Sequence, residues 1–410
     1  MRRTPVTTAS TALLPQPAAP VIAAFAVALV TAAAAGYALR PLALRLGLVD
    51  RPAAHKAHDL PTPYLGGLAI AAGAFAACWA AVPRWDAGVT ALAAGGAAMA
   101  ALGLVDDVRP LRPAVKLAGA AAVAAAVTLS AGPVTITGLP ADPLLAAAWI
   151  VVLTNSFNLL DNSDAAASAV GCVTALFLAA AAHVSGRPGI ALLLAALSAA
   201  CLGFLIPHNR APARMFMGDA GSLFIGFVVC AGAVLGTAPG GAAADPAARI
   251  TTLVLLTFVA SVDTALVLVS RRRAGRSWLT GGTDHIAHRL RRLGLGANQA
   301  ALALSCCASV ACLAALLVTV KLLPAAATLA VAAALGAAAV RLLLRVEVYG
   351  PGRAAPPRRS RRTATVVPHP AAWGRAGDAG LAVPGIAPRP AGDGGPPGGG
   401  TPCPPYQVRT

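Results

Sequence analysis

The chain has 410 residues, of which 57% are hydrophobic and 11% are charged, and its mean hydropathy is +0.72. Apolar runs of about 18 residues or more recur along it, so we predict an all-α polytopic membrane protein and not a soluble domain. A net charge of +17 would favour a nucleic-acid partner in a soluble protein, but here the charge lies in loops and in the tail, and we expect no nucleic acid.

Eleven stretches are long and apolar enough to cross a bilayer. They divide the chain into an N-terminal segment at 1–19, a membrane domain at 20–343 and a tail at 344–410. Because the first stretch is long enough to span, we interpret it as a retained helix and not as a signal peptide. The predicted spans are 20–39, 65–82, 88–105, 115–131, 142–159, 165–182, 188–206, 221–238, 250–270, 298–319 and 322–343.

The loops between these spans carry unequal charge on the two sides of the membrane. Sixteen Lys and Arg residues lie in the five loops that share the side of 106–116, whereas six lie on the other side. The positive-inside bias predicts that the first set faces the cytoplasm of a plasma-membrane protein. An odd number of spans puts the tail on the same side, and its Pro, Gly and Arg content predicts disorder.

The stretch LVDDVRPLRPAVKL at 104–117 places Asp106 and Asp107 side by side at the C-terminal end of a predicted span. The helix dipole disfavours negative charge there, so we expect a cationic partner. One interpretation is a structural network with Arg109, Arg112 or Lys116. The other is a divalent cation or a proton-transfer role, because ionisable groups at membrane depth are candidates for function.

The stretch TNSFNLLDNSD at 154–164 ends another span with a polar residue at every third position. Neighbours in such a row share one side of a helix. Helix capping explains one Asn but not four polar residues, so we favour a ligand site. The row consists of Asn155, Asn158, Asp161 and Asp164.

The stretch NRAPARMFMGDAGSLFIGF at 209–227 joins a basic loop to the start of a span. Asp219 or Ser222 could serve as an N-cap. The alternative is that Gly218 and Gly221 expose backbone amides to a phosphate, with Asp219 on its metal, since Mg²⁺ prefers one or two carboxylates together with substrate phosphate.

Two further stretches add histidines and basic residues. DHIAHRL at 284–290 brings His285 and His288 to one face beside Arg289, which suits phosphate oxygens better than zinc. Asp263 lies about 12 Å inside the preceding span and is expected to face the bundle interior. HKAHDLPTPYLGG at 55–67 offers Lys56 and His58, a weak signal by itself.

These five motifs, in this order and on one predicted face, resemble those of the polyprenyl-phosphate N-acetylhexosamine-1-phosphate transferases. The resemblance runs from about 50 to 290 and leaves both ends of the chain uncovered. It implies a helical membrane fold of ten or eleven spans. It also implies transfer of a sugar-1-phosphate from a UDP-N-acetylhexosamine to undecaprenyl or decaprenyl phosphate, which releases UMP and begins a cell-wall or surface glycan. The implied cofactor is Mg²⁺, with Mn²⁺ as the alternative.

The resemblance also implies roles for individual residues, all within a site that contacts membrane lipids. Asn158 and Asp219 are the expected metal ligands. The expected catalytic residues are Asp106, Asp107, Asp161, His285 and His288. The expected substrate-binding residues are Lys56, His58, Lys116, Asn155, Asp164, Asn209, Phe216 and Arg289.

Two positions depart from the family pattern. Where the family commonly has DGxDGLA, this chain reads DNSDAAA and carries Asn162 and Ala165 in place of glycines. If the turn needs a positive φ, alanine costs about 1 kcal/mol or more, whereas asparagine tolerates it. Weaker nucleotide binding or an unusual donor is the expected consequence.

The donor sugar and the competing functions remain open at this stage. The muramoyl-pentapeptide branch usually carries three histidines in its last motif, whereas DHIAHRL resembles the branch that uses UDP-N-acetylglucosamine. The alternatives are muramoyl-pentapeptide-phosphate transfer, a weakened family member with a regulatory role, and a membrane transporter or scaffold. A transporter predicts polar residues at mid-membrane depth and on both faces, and the sequence concentrates them on one. A homodimer is the candidate assembly.

Overall fold

A computed structural model describes residues 18–50, 62–237, 245–277 and 282–349 of the chain. The predicted tail beyond 349, most of the N-terminal segment, and Lys56 and His58 lie outside these ranges. The described helices are α1 (Ala18–Arg45), α2 (Gly66–Ala81), α3 (Ala87–Val108), α4 (Pro113–Ser130), α5 (Asp142–Leu160), α6 (Ala166–Val184), α7 (Pro188–Phe204), α8 (Gly218–Gly236), α9 (Pro246–Leu256), α10 (Phe258–Arg273), α11 (Ile286–Arg292), α12 (Ala297–Thr319) and α13 (Ala325–Leu343).

The described residues confirm an all-α polytopic membrane protein. Nine of their helices are long and apolar enough to cross a membrane. The span predicted at 250–270 is instead two helices, α9 and α10, which meet at 71° and raise the number to ten if they form one broken span. The span predicted at 65–82 is the 16-residue helix α2, which is about 24 Å long and therefore short for a full crossing.

Helix α8 forms the centre of the bundle. Every residue from Ala220 to Gly236 is buried, and α8 packs against α3, α5 and α6. By contrast, α13 exposes large apolar side chains such as Val331 and Leu335. A helix that is apolar all round belongs in a core, and an apolar exposed face in a membrane protein belongs against lipid.

The first turn of α8 depends on two glycines of neighbouring helices. A Cβ at Gly103 of α3 would overlap the backbone carbonyl of Asp219, and a Cβ at Gly67 of α2 would overlap the amide of Gly221. Small residues allow this close approach of helix backbones in membrane proteins. The two contacts therefore set the position of Asp219.

A short hairpin anchors the loop that precedes α8. Strands β1 (Val49–Asp50) and β2 (Thr62–Pro63) are antiparallel. The amide of Phe216 donates to the carbonyl of Pro63 at 2.9 Å, and Gly66 N donates to Phe216 O at 3.1 Å. These bonds hold Phe216 and the start of α8 against the N-terminal end of α2.

We expect Gly103→Ala to lower the free energy of unfolding by about 1–3 kcal/mol, because the added methyl meets backbone atoms that cannot rotate away. The measurement is the midpoint of thermal unfolding of the detergent-purified protein. Gly119→Ala is the matched control, because its Cβ would meet only the Leu102 side chain, at 3.2 Å. Equal midpoints for the two variants would contradict the proposed packing.

Candidate active site

An acidic cleft of about 670 Å³ opens at the end of the bundle where α3 and α5 end and α8 begins. We call this end the cleft face. Eight of the residues predicted for the site line the cleft, namely Asp106, Asp107, Asp161, Asp164, Asn209, Phe216, Asp219 and His288. The lining also includes Asp50, Tyr64 and Thr283. None of the three was predicted, because Tyr64 lies in the weakest of the five motifs and Asp50 and Thr283 lie just outside the motifs.

Lys116 supplies the cation that the paired carboxylates require. Its Nζ lies 2.8 Å from Asp106 Oδ2 and 2.6 Å from Asp219 Oδ2. It also donates to Asn158 Oδ1 at 3.3 Å. Pro113 starts α4, which places Lys116 in the first turn of that helix. For Asp106 the interpretation as part of a charged network is therefore correct, and the partner is Lys116.

Asp107 caps α8 across the bundle. Its Oδ1 accepts from Asp219 N at 2.8 Å and its Oδ2 from Ala220 N at 3.0 Å. Asp107 therefore takes two of the amides at the start of α8, and the phosphate site predicted at Gly218 and Gly221 stays a prediction. The alternative N-caps, Asp219 and Ser222, are wrong, since no side chain of α8's own N-terminal region caps it. Gly218 has φ +70°, and a Cβ there would lie 2.6 Å from Asp107 Oδ2.

Asn158 holds the Asp219 carboxylate in place. Its Nδ2 donates to Asp219 Oδ1 at 2.7 Å and to Ser222 Oγ at 2.8 Å. Because Lys116 binds the other oxygen of Asp219, that side chain is fixed from two sides. Asn155, one turn earlier, donates instead to the carbonyl of Val151 within its own helix and is not among the residues that line the cleft.

Only the first part of the polar row at 155–164 is helical, in agreement with the predicted end of this span at 159. Helix α5 ends at Leu160, so Asp161 and Asp164 lie in the following loop. Asp164 Oδ2 accepts from Ala213 N at 3.2 Å, whereas the Asp161 carboxylate has no hydrogen-bond donor within the described ranges. Burial and the negative charges of Asp219, Asp107 and Asp164 raise the pKa of Asp161 to about 8.

The turn after Asp164 has a positive φ, which is the condition under which alanine was expected to be unfavourable there. Ala165 adopts φ +67°, which is the left-handed region that alanine enters at a cost. Asn209 stabilises this turn: its Oδ1 accepts from Ala165 N at 3.2 Å and from Ser168 Oγ at 2.6 Å. Its Nδ2 donates to Met215 O at 3.3 Å. Asn209 therefore ties the loop of Asp161 to the loop that precedes α8.

His285 and His288 occupy different environments. His285 Nδ1 lies 2.8 Å from Asp263 Oδ2, and both side chains are buried, which confirms that Asp263 faces the interior. Asp263 Oδ1 also accepts from Ile286 N at 2.7 Å and so caps α11. His288 lines the cleft. Burial, His285 and Arg291 lower the pKa of His288 to about 4, so His288 is neutral at pH 7 and can donate or accept one hydrogen bond.

Arg289 does not reach the cleft. It is buried, and its guanidinium donates to Asp284 O, Leu343 O, Val346 O and Ser270 Oγ at 2.7–3.0 Å. The prediction that it binds phosphate is therefore wrong, because its donors hold the end of α13 against α11. A buried guanidinium is stable only when acceptors within the protein replace water at its N–H donors.

Arg271 is one of the sixteen basic residues counted on the predicted cytoplasmic side. It is buried, and its Nε and Nη2 lie 2.9 and 3.1 Å from the two carboxylate oxygens of Asp284. Arg271 and Tyr349 both lower the pKa of Asp284 by hydrogen bonding to it. This pair fixes the segment that presents Thr283 and His288 to the cleft.

Comparison with known proteins agrees with this arrangement. The sequence profile of "Glycosyl transferase family 4" matches residues 89–237. A Streptomyces coelicolor protein provisionally named a glycosyltransferase is 40% identical over 341 residues, which cover 82% of this chain and 79% of that protein. The decaprenyl-phosphate N-acetylglucosaminephosphotransferase of Mycolicibacterium smegmatis is 31% identical over 312 residues, covering 68% and 76%.

The chain belongs to this family, that of the polyprenyl-phosphate hexosamine-1-phosphate transferases. The matched region contains all the aspartates that line the cleft except Asp50, and it ends before the segment with His285 and His288. A phospho-N-acetylmuramoyl-pentapeptide-transferase of Trichormus variabilis is 35% identical over 235 residues, which cover 50% of this chain and 63% of that transferase. The range that the family profile matches thus includes most of the aspartates that line the cleft.

We expect Ala165→Gly to raise the free energy of unfolding by about 0.5–1 kcal/mol, because glycine adopts a positive φ without the penalty of a Cβ. Ala166→Gly is the matched control, since Ala166 is also buried but begins helix α6. There glycine is expected to lower stability by about 0.5–1 kcal/mol. Thermal unfolding of the two variants in the same detergent should show midpoint shifts of opposite sign, and shifts of the same sign would disprove strain at Ala165.

Proposed function

We propose that the chain transfers N-acetylglucosamine-1-phosphate from UDP-N-acetylglucosamine to undecaprenyl or decaprenyl phosphate and releases UMP. In the net reaction, a phosphate oxygen of the lipid becomes bonded to the sugar-bearing phosphorus, and the bond from that phosphorus to UMP breaks. The observation that carries the proposal is a cleft lined by six aspartates at one end of a membrane bundle, in a chain whose relatives carry the names of such transferases.

The charge of the cleft supports a divalent cation. The proposed substrates carry several negative phosphate charges. Among the described residues, the lining of the cleft contributes six carboxylates and no Lys or Arg. Asp161 has a raised pKa, and its carboxylate accepts no hydrogen bond from the described residues. A cation bound there would offset the repulsion between Asp161 and the neighbouring carboxylates. No cluster of three or more His, Cys, Asp or Glu is preassembled for a metal in the described ranges. Mg²⁺ requires only one or two carboxylates when phosphates and water complete its shell.

Asp161 and Asp219 are the residues that we propose hold Mg²⁺, or Mn²⁺ in its place. Bound there, the cation would neutralise charge on the diphosphate as the sugar-phosphate is transferred. Asn158, which was expected to bind the metal directly, orients Asp219 through its side-chain amide. Lys116 holds Asp106 and Asp219 together, and its ammonium also lies where it can balance incoming phosphate.

His288 and Phe216 complete the proposed substrate site. The neutral imidazole of His288 offers one hydrogen bond to the diphosphate, and Phe216 offers an aromatic face to the nucleotide base. His285 acts as a positioning residue, because its ring is bonded to Asp263 and is not part of the cleft lining. The cleft face is proposed to lie on the cytoplasmic side of the plasma membrane, since the Arg-rich loops flank it.

The test is transfer of radiolabel from UDP-N-acetylglucosamine into the lipid phase by purified protein with undecaprenyl phosphate and Mg²⁺. We expect label that disappears with EDTA and falls on the order of 100- to 1,000-fold in Asp219→Ala, because a charge that organises the transition state is lost. Asp245→Ala is the matched control, an exposed helix cap outside the cleft.

Three outcomes separate the alternatives. Label transfer from UDP-N-acetylmuramoyl-pentapeptide and not from UDP-N-acetylglucosamine would assign the other branch of the family. Binding of Mg²⁺ and nucleotide without transfer would identify a weakened relative. No binding and no transfer by folded protein would refute the proposal.

We expect the affinity for Mg²⁺ to rise with pH between about 6 and 8. The raised pKa means that Asp161 carries a proton below about pH 8, and a carboxylate must lose this proton before it binds a cation. The dissociation constant should therefore fall by up to about tenfold per pH unit. Isothermal titration calorimetry at pH 6, 7 and 8 measures this slope. Asp161→Asn should bind more weakly with a flatter pH dependence, and an unchanged slope would exclude Asp161 as the titrating ligand.

A further inference from the structure

Two arginines lie at the end of the bundle opposite the cleft. Helix α8 leads from the cleft at Gly218 to Gly236, where an added Cβ would lie 3.1 Å from Ala182 and 3.2 Å from Ile190. Arg187 lies between those two residues, at the start of α7, and Arg249 lies in the first turn of α9. The charges of Arg187 and Arg249 are close enough to act on each other. This pair is therefore well separated from the proposed transferase site.

Both guanidinium groups contain buried N–H donors without a partner. Arg249 is only 5% exposed, and its Nε and Nη1 have no hydrogen-bond acceptor within the described part of the chain. The Nε of Arg187 is buried and also has none there. Buried charged donors are almost always paired, because removal from water without a replacement partner is costly. The two arginines thus contrast with Arg271 and Arg289, whose buried donors are bonded within the protein.

Among the described residues, no carboxylate at this end bonds to the unpartnered donors of the two arginines. The three acidic residues described there are already used as acceptors. Asp86 caps α3 through Val89 N, Asp245 caps α9 through Ala247 N, and Asp142 binds the 136–138 loop. The segment at 238–244, which directly precedes α9, reads APGGAAA and has no acidic side chain. An anion from outside the protein is the remaining partner.

We propose that Arg187 and Arg249 form a phosphate-binding site on the face opposite the cleft. Guanidinium groups present parallel N–H donors that match phosphate oxygens, and two of them bring enough charge to hold an anion at a membrane surface. The phosphate can belong to the headgroup of an anionic phospholipid in that leaflet or be free inorganic phosphate. Asp142 also acts on the charge of Arg249. Its oxygens already accept four groups of the 136–138 loop, however, and they accept no hydrogen bond from Arg249 Nε or Nη1, which leaves these donors to the ligand.

The test uses the full-length protein in detergent and measures two ligands separately. Native mass spectrometry counts bound phosphatidylglycerol, with phosphatidylcholine as the zwitterionic comparison, and thermal unfolding measures stabilisation by inorganic phosphate. We expect the wild-type protein to retain phosphatidylglycerol at least tenfold more strongly than phosphatidylcholine, or to be stabilised by inorganic phosphate; the arm that responds identifies the source. Failure of the wild-type protein in both arms would overturn the proposal without any variant.

The variants assign the binding to the two arginines. Arg187→Gln, at the half-buried member of the pair, should reduce the responding arm about tenfold, and Arg187→Gln with Arg249→Gln should abolish it. Arg84→Gln is the matched control, because Arg84 is exposed and belongs to the loop before α3 on the same face. If the double variant does not elute as a folded species, Arg187→Gln alone decides the question. Equal binding by Arg187→Gln and Arg84→Gln would refute the site.

Discussion

The carboxylate of Asp107 on the first amides of α8 is the interaction on which the rest of the cleft depends. A helix begins with amides that have no partner inside the helix, and here the partner comes from α3. The bond fixes where α8 begins, and the close contact of Gly103 with the Asp219 carbonyl fixes its depth. Asp219 thereby enters the cleft between Lys116 and Asn158. The most buried helix of the bundle, α8, thus carries Asp219 in its first turn, at the end that opens into the cleft.

Electrostatic imbalance gives this arrangement its chemistry. Lys116 offsets part of the negative charge, and the Asp161 carboxylate remains without a donor among the described residues. A protein can leave such repulsion in place when a ligand relieves it, and perturbed carboxylates in a cleft are characteristic of functional sites. The opposite face shows the reverse imbalance, because buried N–H donors of Arg187 and Arg249 have no acceptor among the described residues. The two ends of the bundle are therefore complementary to ligands of opposite charge.

The connections between distant motifs explain how loops hold the site. Asn209 bonds to the turn at Ala165, Asp263 caps α11, and Asp284 pairs with Arg271. Each bond links a segment that lines the cleft to a helix of the rigid bundle. This arrangement positions side chains on loops with the precision of helices, which phosphate chemistry requires because it depends mainly on positioning and charge.

The sequence alone determined the membrane class, nearly all the helices, and the group of polar motifs, because hydropathy and charge bias are local properties of the chain. It also identified Ala165 as a position where alanine replaces glycine, although the positive φ there is known only from the structure. Only the tertiary structure decided which polar residue faces which partner. Arg289 and Arg271 resemble phosphate-binding or topology arginines in sequence, yet they are bonded inside the protein. Three further features depend on contacts between residues far apart in the chain, and such contacts leave no periodic signal in the sequence. They are the bend between α9 and α10, the capping of α8 by Asp107, and the unpartnered N–H donors of Arg249.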